Sequence, residues 1–141
     1  MDDAVLIDSS VWIRIFRKSV SEQLAKEVDL LIDEQRVAIV PIINLEVLSG
    51  ASTAEDFLNL KNSFQGLVWF QFNDEIWDIS SEWAFELRKS GNSVPLADIL
   101  IAVTAYKNDA MVLHADKHFD FISSKYPVET RNCLNLNAGK N

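Results

Sequence analysis

Four acidic residues, Asp8, Glu46, Asp98 and Asp116, stand in sequence surroundings that would gather carboxylates in one place rather than scatter them over a solvated surface. Asp8 follows the apolar run Val5-Leu6-Ile7 and Asp116 follows Val112-Leu113-His114, so each reads as a residue just past the carboxyl end of a strand. In open parallel sheets, binding sites collect there. Glu46 has Ile42 and Ile43 at i−4 and i−3 of a helical stretch, and Gly50 at i+4 leaves open space above its carboxylate. Asp98 has Val94, Pro95, Ile101 and Ala102 at the corresponding offsets, a stripe that reads as buried, and a carboxylate facing a core needs a partner. Three or four carboxylates around one cleft suit a hard divalent cation, which takes oxygen ligands and keeps several waters. Such an ion lowers the pKa of a bound water, turns it toward phosphorus and neutralises the charge that builds during displacement. The chemistry needs no covalent nucleophile.

Each acid also has a plainer reading. Asp8 and Asp116 could cap helices, Asp98 could be a first-turn acid favoured by the helix dipole, and Glu46 could be a solvated residue at a stripe edge. Their recurrence at strand ends and on inward faces together favours one shared site. The formal net charge of −8 points the same way. A protein that binds nucleic acid through a general basic surface would carry the opposite sign, whereas acids gathered around bound cations become locally attractive to phosphate.

The elements that must position these acids alternate. Strands are expected over 4–7, 37–40, 67–72, 111–114 and, weakly, 128–131. Helices are expected from Val11, after Ser21, from Ile42 to Gly50, from Ala54 to Phe64, from Asp74 to Lys89, from about Pro95 to Lys107 and over Lys117 to Ser124. That alternation implies an α/β domain with a mainly parallel central sheet covered on both faces. With 141 residues, 48% of them hydrophobic, one domain can bury its own core. Residues 135–141 read as a frayed tail. Cys133 is the only cysteine, which excludes an internal disulfide and a Cys/His zinc framework. The amino terminus lacks the basic region of a secretory signal, and no apolar run approaches the roughly 18 residues of a membrane span, so no membrane association and a cytoplasmic location are expected. Four glycines, at 50, 66, 91 and 139, cannot build a Walker or dinucleotide loop.

The segments around the acids carry a more specific likeness. Leu6-Ile7-Asp8-Ser9-Ser10-Val11-Trp12-Ile13, Asn44-Leu45-Glu46-Val47-Leu48-Ser49-Gly50, Pro95-Leu96-Ala97-Asp98-Ile99-Leu100-Ile101-Ala102 and His114-Ala115-Asp116-Lys117-His118-Phe119-Asp120 resemble, in order, the four motifs of the PIN-domain nucleases, with the nearest likeness to VapC-type toxins. The resemblance implies a three-layer α/β/α nuclease domain over residues 1–134. It also implies Mg²⁺- or Mn²⁺-dependent endonucleolytic hydrolysis of RNA by Asp8, Glu46, Asp98 and Asp116, with Asp8, Asp98 and Asp116 as metal ligands. A Ser or Thr often assists the first Asp of the family, which points to Ser9 or Ser10. The fourth motif commonly has Thr two residues before its Asp, and here His114 stands there. The likeness further implies a VapB-like antitoxin partner and a homodimer. A housekeeping RNA-processing nuclease, or an inactive RNA- or protein-binding relative, would share the same motifs.

Other residues are weighed beside these. Asp120, one helical turn after Asp116, reads equally as an outer carboxylate behind the site or as a solvated helix acid. Arg14, Arg17, Lys18 and Lys117 could guide an RNA backbone or form an ordinary solvated face. The i, i+4 spacing of His114 and His118 suggests a zinc pair only on a shared helical face, and His114 is expected to end a strand, which leaves His118 at the surface or behind the ligands. Trp12, Phe16, Trp69, Trp77 and Trp83 fit core patterns, so core is the default, although an unusually aromatic small domain could expose some of them at a partner interface. Functions from other classes fail at named positions. A haloacid-dehalogenase-like phosphatase needs an acid where Ser10 stands, and an adhesion-type metal site needs a Ser where Trp12 stands. A response-regulator receiver needs a phosphoacceptor Asp after the strand over 37–40.

Overall fold

A computed structural model of the chain describes residues 3–134, so the tail expected over 135–141 lies outside the described residues. In chain order the elements are β1 (Val5–Ile7), α1 (Ser9–Phe16), α2 (Glu22–Asp33), β2 (Val37–Ile39), α3 (Pro41–Ser49), α4 (Ala54–Gln65), β3 (Val68–Trp69), α5 (Asp74–Lys89), α6 (Leu96–Lys107), β4 (Met111–His114), α7 (Lys117–Lys125) and β5 (Thr130–Asn132). The strands form one sheet in the order β3-β2-β1-β4-β5, and every neighbouring pair is parallel. All residues of β1 and β2 are buried. Successive strand residues point to opposite faces, so this pattern means that helices cover both faces, giving the expected three layers.

The strand order places the site. From β1 the chain steps outward to β2 and β3, then returns to lay β4 on the other side of β1. Successive strands therefore progress one way across the sheet after β1 and the other way after β4, and a crevice opens beyond the carboxyl ends of these two parallel strands. Asp8 and Asp116 stand there. The register Val5↔Met111, Leu6↔Val112 and Ile7↔Leu113 sets the two strand ends side by side, and the Asp8 N–H donates to Leu113 O at 2.9 Å.

Helix starts follow side-chain chemistry. Ser21, Thr53 and Asn73 accept hydrogen bonds from the backbone N–H groups of Leu24, Asp56 and Ile76, satisfying donors that a helix leaves orphaned. Pro41 occupies the first turn of α3, where its missing N–H costs nothing. Pro95 stands one position earlier than expected, as the cap residue with ψ 136, and α6 begins at Leu96.

Three expectations are corrected. The strand expected over 67–72 contracts to Val68–Trp69, because its partner β2 ends at Ile39, which takes the last ladder bond from Phe70 N–H, and Asn73 already caps α5. The last strand moves from 128–131 to Thr130–Asn132. Pro127 has no N–H and Val128 N–H turns back to Tyr126 O at 2.8 Å, so pairing starts after Val128 has packed into the core. Of the aromatic residues assigned to the core, Trp12 and Trp83 are buried, whereas Trp77 and Phe16 are 50% and 46% exposed. No helix among the described residues is long and apolar enough to cross a membrane.

Candidate active site

Asp8 opens the site as the cap of α1. Its Oδ2 accepts from Ser10 N–H at 3.1 Å and from Ser10 Oγ–H at 2.6 Å. Ser10 Oγ in turn accepts from Ala115 N–H at 3.0 Å, so one hydroxyl fastens the end of β1 to the loop after β4. Asp8 is 4% exposed, and that burial raises its pKa more than the Ser10 hydrogen bonds lower it, with Glu46 adding repulsion. The helix-cap reading of Asp8 is therefore correct without excluding the other, because its bonds to Ser10 converge on one carboxylate oxygen. Ser10→Ala should cost about 1–2 kcal/mol, since it strips a partner from a buried carboxylate and from a buried-side N–H together. The prediction is checked by urea unfolding, and a change within error of zero would mean that Ser10 does not tie the two strand ends.

Glu46 comes from α3 at the rim of the crevice, exposed to solvent, and Ser9 Oγ–H donates to its Oε2 at 2.9 Å. That bond joins α3 to α1. Asp98 comes from the first turn of α6, between Ile99, Ile101 and Ala102 in the core and Pro95, which is exposed rather than buried as its stripe suggested. The Asp98 side chain is 14% exposed and its Oδ2 is buried without a hydrogen bond. A dipole-favoured first-turn acid would sit in solvent, so that reading does not account for it. Burial pushes the Asp98 pKa up to about 7, helped by the charges of Asp8, Asp116 and Glu46 in that order. Asp8, Asp116 and Glu46 thus all act on Asp98, although the close group of donor atoms among the described residues holds Asp98 and Asp116 but neither Asp8 nor Glu46.

Asp116 caps α7, its Oδ1 accepting from His118 N–H at 2.9 Å. The fully buried His114, where the likeness expects Thr, serves this loop through its ring: Nδ1 accepts from Asp116 N–H at 3.2 Å. Nδ1 as acceptor puts the ring proton on Nε2, which faces Asp120 Oδ1 at 3.6 Å, and burial lowers the His114 pKa against the pull of that carboxylate. Asp120 stands on the outer side of His114, where Asn132 Nδ2 donates to its Oδ2 at 2.8 Å. Asp120 lies against His114 rather than in the group formed by the donor atoms of Asp98, Asp116 and His118.

His118, which the sequence puts at the surface or behind the ligands, stands among the acids. Its Nδ1 lies 2.8 Å from Asp116 Oδ1 and 3.4 Å from Asp98 Oδ2, yet it is buried and makes no hydrogen bond. Ligand atoms of Asp98, Asp116 and His118 all fall within 4.8 Å of one another. The available signal was its position two residues after a capping Asp, which turns its side chain back over that carboxylate. Its spacing to His114 pointed elsewhere, and the structure separates the two rings as expected from the strand end at His114.

The donors fit a hard divalent cation. Asp98 Oδ2 is a buried oxygen with no protein partner, in a cluster whose mutual repulsion only positive charge relieves. Beside the cluster, α1, α3 and α4 enclose a groove of about 570 Å³ lined by Ile13, Phe16, Arg17, Leu60 and, at its end nearest the acids, Glu46. Trp12 is buried beneath this groove rather than part of its wall. Lys18 and Lys117 are exposed, and Arg14 is partly buried near Cys133.

The family model described as PIN domain matches residues 5–124, which include all four acids. The chain belongs to the PIN-domain family. This PIN domain is 32% identical over 123 residues to "Ribonuclease VapC11" of Mycobacterium tuberculosis, covering 84% of this chain and 91% of that one. It is 24% identical over 122 residues to "Ribonuclease VapC18" of the same organism, covering 84% and 86%. Among solved structures, the PIN domain is similar to a chain of VapBC-1 from nontypeable Haemophilus influenzae, with a TM-score of 0.76, 18% identity and coverage of 93% of this chain and 98% of that chain. A chain of VapBC2 from Rickettsia felis, solved bound to a promoter DNA fragment, gives a TM-score of 0.75 at 17% identity, with coverage of 92% and 98%. These structural likenesses establish the shared fold.

Proposed function

We propose that this PIN domain is a Mg²⁺- or Mn²⁺-dependent endoribonuclease and the toxin of a toxin-antitoxin pair. The observation that carries the first half is Asp98 Oδ2, buried without a partner and surrounded by the charges of three other acids. Asp8, Asp98 and Asp116 would hold the ion, with Glu46 reaching in from α3. Bound there, the cation would activate a water for attack on phosphorus and offset the charge of the transition state. The protein's own part is to hold the carboxylates in place. Ser10 fixes Asp8 against the β4 loop, Ser9 fixes Glu46, and His114 fixes the backbone of Asp116. Arg17, which lines the same groove as Glu46, and Lys117, adjacent in sequence to Asp116, would take RNA phosphates, with Arg14 and Lys18, close to Arg17 in sequence, as further candidates.

The ribonuclease names of the curated relatives and the VapBC assemblies among the structural likenesses support the toxin half. The expected partner is a VapB-like antitoxin whose segment places an Arg or Lys against the acids and apolar side chains against Ile13 and Phe16. The expected homodimer is part of the same reading, and its mass is measurable by light scattering. Purified protein should cleave single-stranded or loop RNA with Mg²⁺ or Mn²⁺ and stop in excess EDTA. Cleavage that persists in EDTA would end the metal reading. Metal-dependent cleavage without growth arrest on expression would instead favour a housekeeping nuclease, and metal binding without cleavage an inactive binding relative.

A further inference from the structure

We infer that His118 Nδ1 is a nitrogen ligand of the metal site and gives the site a preference for Mn²⁺ over Mg²⁺. The inference rests on reading the acid cluster as a metal site and deepens it by naming a ligand outside the four acids and the ion it selects.

Three donors converge from two elements. Asp98 stands in the first turn of α6, while Asp116 and His118 are the cap and the second residue of α7. The Asp116 cap bond turns the first residues of α7 so that the His118 ring lies over the carboxylates, where Nδ1 is 2.8 Å from Asp116 Oδ1 and 3.4 Å from Asp98 Oδ2. At bond lengths of about 2.1 Å, adjacent ligands of an octahedral ion are separated by roughly 3 Å, and the two distances bracket that value. Neither contact has hydrogen-bond geometry. Two buried atoms, Asp98 Oδ2 and His118 Nδ1, therefore face each other with no protein partner. One cation between them satisfies both, because each then offers it a lone pair.

The ring nitrogen also bears on which cation. Carboxylate oxygens alone suit Mg²⁺, whereas imidazole is a softer donor that favours the transition series. The competing arrangement is an imidazolium that merely sits beside two carboxylates, with oxygen ligands alone on the ion.

Electron spin-echo spectroscopy of the Mn²⁺-loaded full chain separates these outcomes. A directly bound imidazole imposes ¹⁴N modulation on the echo, and His114 is the only other histidine, with its Nδ1 engaged by Asp116 N–H. The expected result is a ¹⁴N modulation that is replaced by the ¹⁵N pattern after selective ¹⁵N-histidine labelling, a readout that needs no variant. In His118→Asn, which keeps a polar atom near the place of Nδ1, the modulation should vanish. Mn²⁺ affinity should then fall about tenfold or more while Mg²⁺ affinity changes less than about threefold. Mn²⁺ bound in the wild type without histidine modulation overturns the inference and leaves the metal site standing. Equal losses for both ions in His118→Asn overturn the stated preference. Absence of Mn²⁺ binding overturns both the inference and the reading beneath it.

Discussion

Asp98→Asn is expected to lower RNA cleavage by about 10³-fold or more while the protein stays folded. The size follows from charge. A carboxylate ligand that helps a cation offset transition-state charge contributes several kcal/mol, and about 4 kcal/mol is a factor of 10³ in rate. The survival of the fold follows from the structure, because Asp98 Oδ2 accepts no hydrogen bond and Asn has nearly the same volume. The new amide can donate toward Asp8 or Asp116 where a carboxylate would repel them. Asp8→Asn should lose activity to a similar degree, but it is a less clean test. Asp8 accepts both the N–H and the hydroxyl of Ser10 and caps α1, so the substitution weakens charge-assisted bonds while it relieves a buried charge, and the two act on stability in opposite directions. Single-turnover cleavage at saturating Mn²⁺, with thermal melting recorded on the same samples, distinguishes loss of function from loss of fold. Near wild-type turnover in Asp98→Asn would remove Asp98 from the site.

What the sequence made legible, and what it did not, divides along physical lines. Asp8 and Asp116 are readable because strand ends are marked locally: the buried run Val5-Leu6-Ile7 precedes one and the buried pair Val112-Leu113, with His114, precedes the other. The sheet order adds only that the two ends adjoin. Asp98 was readable as a misfit, since α6 is buried on nearly every side from Ile99 to Ala105 and an acid in such a helix needs a reason. The same all-round apolarity hid which way its carboxylate points, and the meeting of Asp98 with His118 depends on how α6 packs on α7. No spacing within either helix encodes that. His118 was therefore weighed against its sequence neighbour His114 and not against a residue twenty positions away. Trp77 and Phe16 depart from the core default for a related reason. Periodicity shows that a face is apolar but not that anything covers it; Phe16 stacks on Trp12 and Trp77 meets Phe72 edge-on, and both stay half open to solvent.

Without metal, titration of Asp98 should stabilise the protein as the pH is lowered from about 8 to about 5, against the usual direction of acid denaturation and against buried His114, whose lowered pKa favours the unfolded state below about pH 6.5. The Asp98 pKa stands at about 7 in the fold, against 3.8 for the ordinary side chain. A raised folded pKa means that the native state binds the proton more tightly. The stabilisation is complete below the unfolded value and is lost as the pH rises through 7. Burial of Asp8 acts in the same sense. Only the two units between pH 7 and pH 5 fall in this window, so 1.36 kcal/mol each sets an upper bound of about 2.7 kcal/mol, and partial exposure of Asp98 reduces that to roughly 1–2 kcal/mol. At about 3 °C per kcal/mol for a domain of this size, Asp98 should move the melting temperature by roughly 3–6 °C across the window. Mn²⁺ does the work of the proton at higher pH. Ligand at a hundredfold over its Kd adds about 2.7 kcal/mol, so the metal-induced rise should be largest above pH 7 and shrink toward pH 5, where protons compete for the same oxygens. Asp98→Asn should flatten the metal-free profile, raise its melting temperature near pH 8 and erase most of the Mn²⁺ response, since one substitution removes both the repulsion and the ligand. Scanning calorimetry from pH 5 to 8, with and without Mn²⁺, reads all three effects. A variant that is destabilised without metal and still responds fully to Mn²⁺ would make Asp98 a structural acid, and the four carboxylates would no longer form one site.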